Sequence, residues 1–152
     1  MSPEASLSIT SLDDFIERGA RDRLAEALRP GIEGAHAALE TFYYAHNTAS
    51  RDLYRRMGIA GSAAHLLDRT VRIHVELTNI ARYATPALVI FAGIERGSYE
   101  HEGSETPLEA RTTRAFGFIE GQGWRQVHDH GSIDDSAALA AYQSTMRSPR
   151  HD

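Results

Sequence analysis

The stretch Val71–Thr78, which reads Val-Arg-Ile-His-Val-Glu-Leu-Thr, decides the class of fold. Its apolar residues alternate with polar ones at a period of two, which predicts a β-strand with one buried face. Before this stretch the apolar residues recur at helical spacing, and after it further strand-like segments follow one another. The chain therefore changes from helices to consecutive strands at this point.

The strongest helical segment before that change is Ile32–His46. Its apolar residues fall on one face of a helix, at Ile32, Leu39, Phe42 and Tyr43. We expect this helix to form the floor of the domain beneath the sheet.

Three weaker helices are also predicted. One begins at Ser11 or Asp13 and ends before Pro30, where Pro and Gly stop it. A short helix capped by Ser50 ends near Met57. Another short helix is predicted at residues 62–68.

Three further strands follow Val71–Thr78. Residues 87–92 are apolar without alternation, which is typical of a strand covered on both faces. After a turn at Gly103, the third strand is predicted at residues 108–119 and the fourth at 124–133, joined by the hairpin loop 120–123.

A final helix is predicted after the last strand. Asp134 or Asp135 caps it, and its apolar residues include Leu139, Tyr142 and Met146. Acidic residues are favourable at the positive N-terminal end of a helix.

Helices followed by antiparallel strands predict an α+β fold with the helices on one face of the sheet. We expect a cone-shaped, curved antiparallel sheet packed against the N-terminal helices, with a C-terminal helix and a conical ligand cavity between the layers. A single domain is predicted at residues 12–147, with flexible ends at 1–11 and 148–152.

Composition excludes several kinds of chemistry. The chain has 152 residues and no cysteine, and all 16 of its positive side chains are arginine. Disulfides, thiolate nucleophiles, lysine Schiff bases and P-loop lysines are therefore excluded. The formal charge of −5 argues against a nucleic-acid partner. No apolar run is long enough for a membrane span and no signal peptide is evident, so we expect a cytoplasmic protein.

Several segments resemble SnoaL-like proteins of the nuclear transport factor 2-like superfamily. Residues 111–116 and Trp124–Ser132, with the sequence Trp-Arg-Gln-Val-His-Asp-His-Gly-Ser, resemble the closing hairpin of that family. Phe42–Asn47 resembles the end of its first helix, and Phe91–Gly97 resembles its central strand. The resemblance covers residues 32–146.

The resemblance implies the cystatin-like α+β barrel that these proteins share with ketosteroid isomerase and the association domain of calcium/calmodulin-dependent kinase. It also implies a homodimer. Members of the superfamily include isomerases, dehydratases, hydrolases and polyketide cyclases, alongside non-catalytic binders and assembly domains. A fold of this kind does not name a reaction.

The cluster His128-Asp129-His130 is the most conspicuous group of titratable residues. Alternation along a strand puts both histidines on one face with Trp124 and Gln126. Two histidines at this spacing can bind a metal. No third ligand lies nearby in the sequence, so we expect structural histidines and no metal.

Asp129 is the better candidate for acid–base catalysis. It lies on the face opposite to the two histidines, where it can point into the cavity. Desolvation there would raise its pKa toward a useful range. The alternative is that Asp129 pairs with Arg114 or Arg125 and holds the hairpin together.

Arg114 shares a strand face with Phe116 and Phe118. By resemblance to the kinase association domain, Arg114 would hold an anionic group of a ligand, for which its fork geometry is suited. The two phenylalanines and Phe42 would then line the ligand site. The alternative for Arg114 is an ion pair with a nearby carboxylate: Glu76, Glu95 or Asp129.

Tyr43 and His46 lie at the end of the helix that floors the cavity. Either side chain can act as a proton donor to a ligand, although a tyrosine near a helix end more often packs in the core.

Two functions are consistent with these residues. The first is an enzyme that isomerises, dehydrates or cyclises a small organic molecule by general acid–base catalysis, without metal or organic cofactor. In it, Asp129 is the acid or base, Tyr43 or His46 is the donor, and Arg114 orients the substrate. The second is a non-catalytic dimeric domain that binds a ligand or assembles with a partner.

Overall fold

The computed structural model describes residues 6–58 and 71–147. The described residues form five strands and four helices, in this order: β1 (Ser8–Leu12), α1 (Leu24–Ala27), α2 (Ile32–Asn47), α3 (Arg51–Met57), β2 (Arg72–Ala84), β3 (Leu88–His101), β4 (Ser104–Ile119), β5 (Gly123–Ser132) and α4 (Ser136–Arg147). No helix in these two ranges is long and apolar enough to cross a membrane.

The five strands form one antiparallel sheet in the order β1-β2-β3-β4-β5. A two-residue turn joins β3 to β4, where Glu102 and Gly103 both have positive φ angles of 53° and 79°. Positive φ at both turn residues matches the twist of the flanking strands. The predicted α+β architecture is confirmed, because helix α2 packs against one face of this sheet.

The core lies between α2 and the concave face of the sheet. Leu39 and Phe42 of α2 are buried against Leu77, Phe91 and Phe116 of the strands. Burying each such side chain stabilises the fold by about 1.5–3 kcal/mol. The helix predicted at Ile32–His46 is confirmed, since α2 occupies the same segment with one more residue.

The helix predicted between Ser11 and Pro30 is wrong, and only the four residues of α1 are helical there. Gly19 has a φ of 64°, and a Cβ atom at that position would lie 2.5 Å from the backbone carbon of Tyr43. The segment therefore crosses α2 as extended and irregular chain, because packing against the helix backbone outweighs local helical periodicity.

Two short helices are predicted after α2. The first is confirmed as α3, which begins after Ser50, although no hydrogen bond from the Ser50 side chain caps it. The second, at residues 62–68, lies outside the described residues.

The N-terminal segment differs from the expectation of a flexible lead-in at residues 1–11. Ser8–Leu12 forms β1 and pairs with β2, from Ser8 opposite Ala84 to Leu12 opposite Ile80. The β-branched residues in this segment suit a strand, and the edge of β2 supplies the hydrogen-bonding partners.

Strand β3 is not covered on both faces as predicted from its apolar sequence. Val89 and Phe91 are fully buried against α2, whereas Leu88 is 39% exposed and Ile90 is half-buried. In residues 6–58 and 71–147 the helices pack against the concave face, so Leu88 and Ile90 lie uncovered on the convex face of the sheet.

A β-bulge interrupts the pairing of β4 with β5. Ala115 lies opposite His128 and Phe116 lies opposite Gln126, so Val127 is an extra residue in β5. Such an insertion shifts the alternation of side chains by one residue. The side chains after Val127 therefore lie on the face of the sheet opposite to the one that simple alternation predicts.

The predicted C-terminal helix and its cap are both confirmed. The Asp135 carboxylate accepts a hydrogen bond from the Ala138 backbone N–H at 2.9 Å. Met146 of α4 packs in a small cluster with Val71 and Tyr99. The helix is thereby anchored beside the start of β2 and the end of β3.

Candidate functional site

A cavity of about 270 Å³ lies between the concave side of β3, β4 and β5 and helix α4. We call it the α4 cavity. Its polar wall includes Glu95, Thr112, Arg114 and Asp129, and its apolar wall includes Leu139 of α4. It lies against the C-terminal helix, whereas the sequence predicted a conical cavity between the sheet and the N-terminal helices.

Arg114 forms the centre of a buried hydrogen-bond network behind this cavity. Its Nη2 lies 2.6 Å from Oε2 of Glu95, and the two side chains are 8% and 10% exposed. Its Nε donates to the hydroxyl of Tyr43 at 3.0 Å and to Glu95 at 3.2 Å. Its Nη1 donates to Oε1 of Gln126 at 3.0 Å. The guanidinium also lies 4.2 Å from the ring centre of Phe42, within cation–π range.

The network keeps Arg114 and Glu95 charged. Burial acts to raise the pKa of Glu95, but the Arg114 charge and the hydrogen bond from Tyr43 leave that pKa below its ordinary value. Burial acts to lower the pKa of Arg114, but Tyr43 and Glu95 leave it above its ordinary value. Burial also raises the pKa of Tyr43 well above its ordinary value, so this hydroxyl stays protonated.

Asp129 reaches the concave side of the sheet, opposite Arg114 in the pairing of β4 with β5. Its Oδ2 lies 3.7 Å from Nη1 of Arg114, beyond hydrogen-bond distance. Its side chain is 54% exposed. Within the described residues, the side chain of Asp129 makes this ion pair and no hydrogen bond. Both of its carboxylate oxygens therefore remain able to accept a hydrogen bond.

The two histidines beside Asp129 lie on the convex side of the sheet, as His128 pairs with Ala115 and both histidines are exposed. Gln126 is buried on the concave side. The prediction that the histidines share a face with Gln126 is therefore wrong, and the bulge at Val127 is the reason. In the described ranges no group of three or more metal-ligating side chains lies together.

Thr112 forms part of the cavity floor. It is 5% exposed, and its Oγ1 is buried with no hydrogen-bond partner among the described residues. Across the sheet it lies between Gly93 on β3 and Gly131 on β5. A Cβ atom at Gly131 would lie 3.9 Å from this hydroxyl. The glycine on β5 therefore leaves space above an unpaired polar group.

The other two proposed catalytic residues do not face this cavity. Tyr43 is fully buried beneath it, and its hydroxyl already donates to Glu95 at 2.5 Å. His46 lines a separate cavity of about 490 Å³, together with His74. Burial, assisted by the charge of Arg114, lowers the pKa of His46.

The three phenylalanines expected to line the ligand site pack in the core. Phe42 lies against the guanidinium of Arg114. Phe116 packs edge-on against Phe91, and Phe118 packs edge-on against Trp124. These rings fix the sheet and α2 around the network, and the wall of the α4 cavity consists of other side chains.

Sequence reasoning missed two of the side chains that build the site. Thr112 lies two residues before Arg114 on β4, so alternation predicts that both side chains lie on the same face. The sequence does not show that the Thr112 hydroxyl lacks a hydrogen-bond partner among the described residues. Gln126 became a partner of Arg114 only through the pairing of β4 with β5. Glu95 was expected only as one of three carboxylates that could pair with Arg114.

The curved antiparallel sheet, the helices on its concave side and the cavity between them define an α+β domain of the nuclear transport factor 2-like type. A family model described as a SnoaL-like domain matches residues 34–136. This match covers more than half of the chain, so the chain belongs to the SnoaL-like domain family, and the resemblance noted in the sequence is confirmed.

A solved structure agrees with that assignment. It is a nuclear transport factor 2 (NTF2-like) superfamily protein from Salmonella enterica subsp. enterica serovar Typhimurium str. LT2. The TM-score is 0.58 at 13% sequence identity, over 74% of this chain and 94% of that chain. At this identity the likeness shows the fold alone. No curated protein matches the chain.

Proposed function

We propose that this domain binds a small organic molecule in the α4 cavity. Membership of the SnoaL-like family supports a small-molecule-binding domain. The observation that carries the proposal is a cavity wall with unused hydrogen-bonding groups. Asp129 and Thr112 both line the cavity, and the side chains of both lack a hydrogen bond from the described residues, whereas Arg114 and Glu95 behind them are fixed.

A cavity-filling substitution tests this proposal. Gly131→Val places a side chain over Thr112, where a Cβ atom has no neighbour closer than 3.8 Å. Valine is favourable in a strand, so the sheet should be preserved. In a fragment screen by NMR, compounds that shift cavity resonances of the wild type should not bind Gly131→Val. The matched control His128→Val, exposed on the convex side of the same strand, should keep all of them.

A second candidate is catalysis on the bound molecule, by general acid–base chemistry that isomerises, dehydrates or cyclises it without a cofactor. The exposed carboxylate of Asp129 beside the fixed Arg114 guanidinium favours it, because a base must be free to accept a proton. Tyr43 then positions Glu95 and Arg114, since its hydroxyl is already engaged by both.

The two candidates differ in what happens to a compound that binds. For catalysis we expect Asp129→Asn to retain binding and to reduce turnover by about 10²–10⁴-fold. Bound compounds that are recovered unchanged after prolonged incubation with the wild type would instead support the non-catalytic binding domain.

We also propose that the chain works in the cytoplasm as a homodimer. The convex face of the sheet supports the dimer, because it presents half-exposed apolar side chains, including Ile90 and Ile94 of β3 and Val127 of β5. Sedimentation analysis should give a dimer for the wild type and a monomer for Ile90→Glu. The control Leu7→Glu, at an exposed position outside the sheet, should stay dimeric. A monomeric wild type would contradict the proposal.

A further inference from the structure

We propose that the α4 cavity selects a ligand that carries an amino group and holds this group between Asp129 and Thr112, in preference to a ligand that carries a carboxylate. This inference rests on the binding function proposed above and adds the chemical class of the ligand.

Arg114 is poorly placed to bind an anion. Each of its three nitrogens already donates a hydrogen bond: Nε to Tyr43 and Glu95, Nη2 to Glu95, and Nη1 to Gln126. Its side chain is only 8% exposed. The two N–H groups that these bonds leave, one on Nη1 and one on Nη2, belong to a side chain that is almost closed to a ligand, and the Asp129 carboxylate already lies 3.7 Å from Nη1.

The balance of charge in the cavity wall favours a cation. Two carboxylates, Glu95 and Asp129, lie on the wall of the cavity with the single guanidinium of Arg114. A third anion placed among these groups is repelled more than it is attracted, whereas a cation is attracted more than it is repelled. Part of this wall is shielded from water. Interactions between charges are stronger there than in bulk solvent.

The groups in the wall that still have hydrogen-bonding capacity are acceptors. Oδ2 of Asp129 lies beyond hydrogen-bond distance from Arg114, and Oγ1 of Thr112 is buried with no partner among the described residues. An ammonium group has three N–H donors and no acceptor. One of these donors can be directed to the Asp129 carboxylate and another to the buried hydroxyl of Thr112, which is costly to leave unpaired.

The remainder of the cavity wall fits the rest of such a ligand. Leu108 and Ala110 of β4 and Leu139 of α4 contribute apolar surface. Gly131 leaves room above Thr112. The cavity thus combines one polar end that accepts hydrogen bonds with an apolar wall, which suits a compact hydrocarbon body with a single amino group.

Three probes of the same shape test the inference: benzylamine, benzyl alcohol and benzoate. Their affinities are measured by NMR titration at neutral pH and constant ionic strength. We expect benzylamine to bind at least about ten-fold more tightly than benzoate, with benzyl alcohol between them. Asp129→Asn should remove most of this preference. Thr112→Val should weaken both benzylamine and benzyl alcohol, because valine has the shape of threonine without its hydroxyl.

Two control substitutions carry the same chemical changes away from the cavity. Glu109→Gln removes a carboxylate from the convex side of β4, and Thr113→Val removes the hydroxyl next to Thr112 on that side. Both should leave the order of the probes unchanged.

The outcomes separate the two proposals. If benzoate binds the cavity as tightly as benzylamine, or if Asp129→Asn keeps the preference, the inference is overturned while cavity binding stands. If none of the three probes shifts a resonance of the cavity residues, both the inference and the binding function fail.

Discussion

The hydroxyl of Tyr43 on α2 lies 2.5 Å from Oε2 of Glu95 on β3. This hydrogen bond joins the helical layer to the sheet directly behind the α4 cavity. Because Arg114 on β4 donates to both groups, one buried network fixes three elements relative to one another. The stability of the fold and the shape of the cavity therefore depend on the same side chains.

Glu95→Gln should destabilise the fold strongly. It leaves the buried charge of Arg114 without its partner, which costs about 3–5 kcal/mol in the free energy of unfolding. Urea unfolding monitored by circular dichroism measures the change. Glu109→Gln, which breaks an exposed ion pair with Arg96, should cost less than about 1 kcal/mol. Equal effects of the two substitutions would contradict a stabilising buried network.

Gly19→Ala should be more harmful than Gly103→Ala, although both glycines have positive φ angles. At Gly103 a Cβ atom meets open space, so only the backbone conformation costs about 1–2 kcal/mol. At Gly19 the Cβ atom also collides with the backbone of Tyr43 at 2.5 Å, which raises the total to about 3 kcal/mol or more. Comparable unfolding midpoints for the two variants would contradict this close approach.

Glu17→Gln should stabilise the protein at and above neutral pH. Burial is the main reason that the pKa of Glu17 rises from 4.5 to about 7. The hydrogen bond from the Gly19 N–H lowers this pKa, and the nearby charge of Glu40 raises it further. The folded state holds this proton more tightly than the unfolded chain. The free energy of unfolding therefore falls, by about 1.4 kcal/mol per pH unit, as pH rises between these two pKa values.

In Glu17→Gln this fall is absent, and the amide oxygen can still accept the hydrogen bond that Gly19 donates at 3.0 Å. Above pH 7 the variant should be more stable than the wild type by about 3 kcal/mol. Urea unfolding over a pH series measures the difference. Asp14→Asn, at a nearby exposed position, is the control and should keep the wild-type dependence.

His36→Gln should change the pH dependence in the opposite sense. Burial, followed by the charge of Arg82, lowers the pKa of His36 from 6.5 to about 4. The unfolded chain takes up this proton first, so the free energy of unfolding rises with pH between about 4 and 6.5. Glutamine keeps an acceptor for Arg82, which lies 2.9 Å from Nε2 of His36.

The contributions of Glu17 and His36 overlap in pH and have opposite signs, so they offset each other in the wild type. Relative to the wild type, the slope of unfolding free energy against pH should become more positive in Glu17→Gln. In His36→Gln it should become more negative. Identical slopes in the two variants would contradict the assignment of these two pKa shifts.

Periodicity predicted most of the elements that build the site. The alternation in Val71–Thr78 correctly predicted a strand with Val75 and Leu77 buried, because alternation follows from the geometry of the backbone. The helical stripe with Phe42 and Tyr43 likewise predicted α2. The helix predicted around Gly19 is wrong, because the conformation of this segment is set by contact with α2 rather than by its own residues.

The candidate site was predicted less completely than the fold. The sequence singled out Arg114 and Asp129, and strand pairing places them opposite each other. Whether Asp129 or Glu95 neutralises Arg114 could not be read from spacing, since the three residues lie on three different strands. The register of β3, β4 and β5 decides it, and Glu95 is the carboxylate that reaches hydrogen-bond distance.

The sequence by itself determined which residues alternate, where the long helix α2 and the C-terminal helix α4 lie, and that arginine is the cation available to balance a carboxylate in a chain without lysine. Only the tertiary structure decided that Val127 bulges, that every nitrogen of Arg114 already donates a hydrogen bond, and that the Thr112 hydroxyl has no partner among the described residues. The physical reason is range. Periodicity reports the local backbone, whereas a hydrogen-bond partner depends on which distant segments pack beside it.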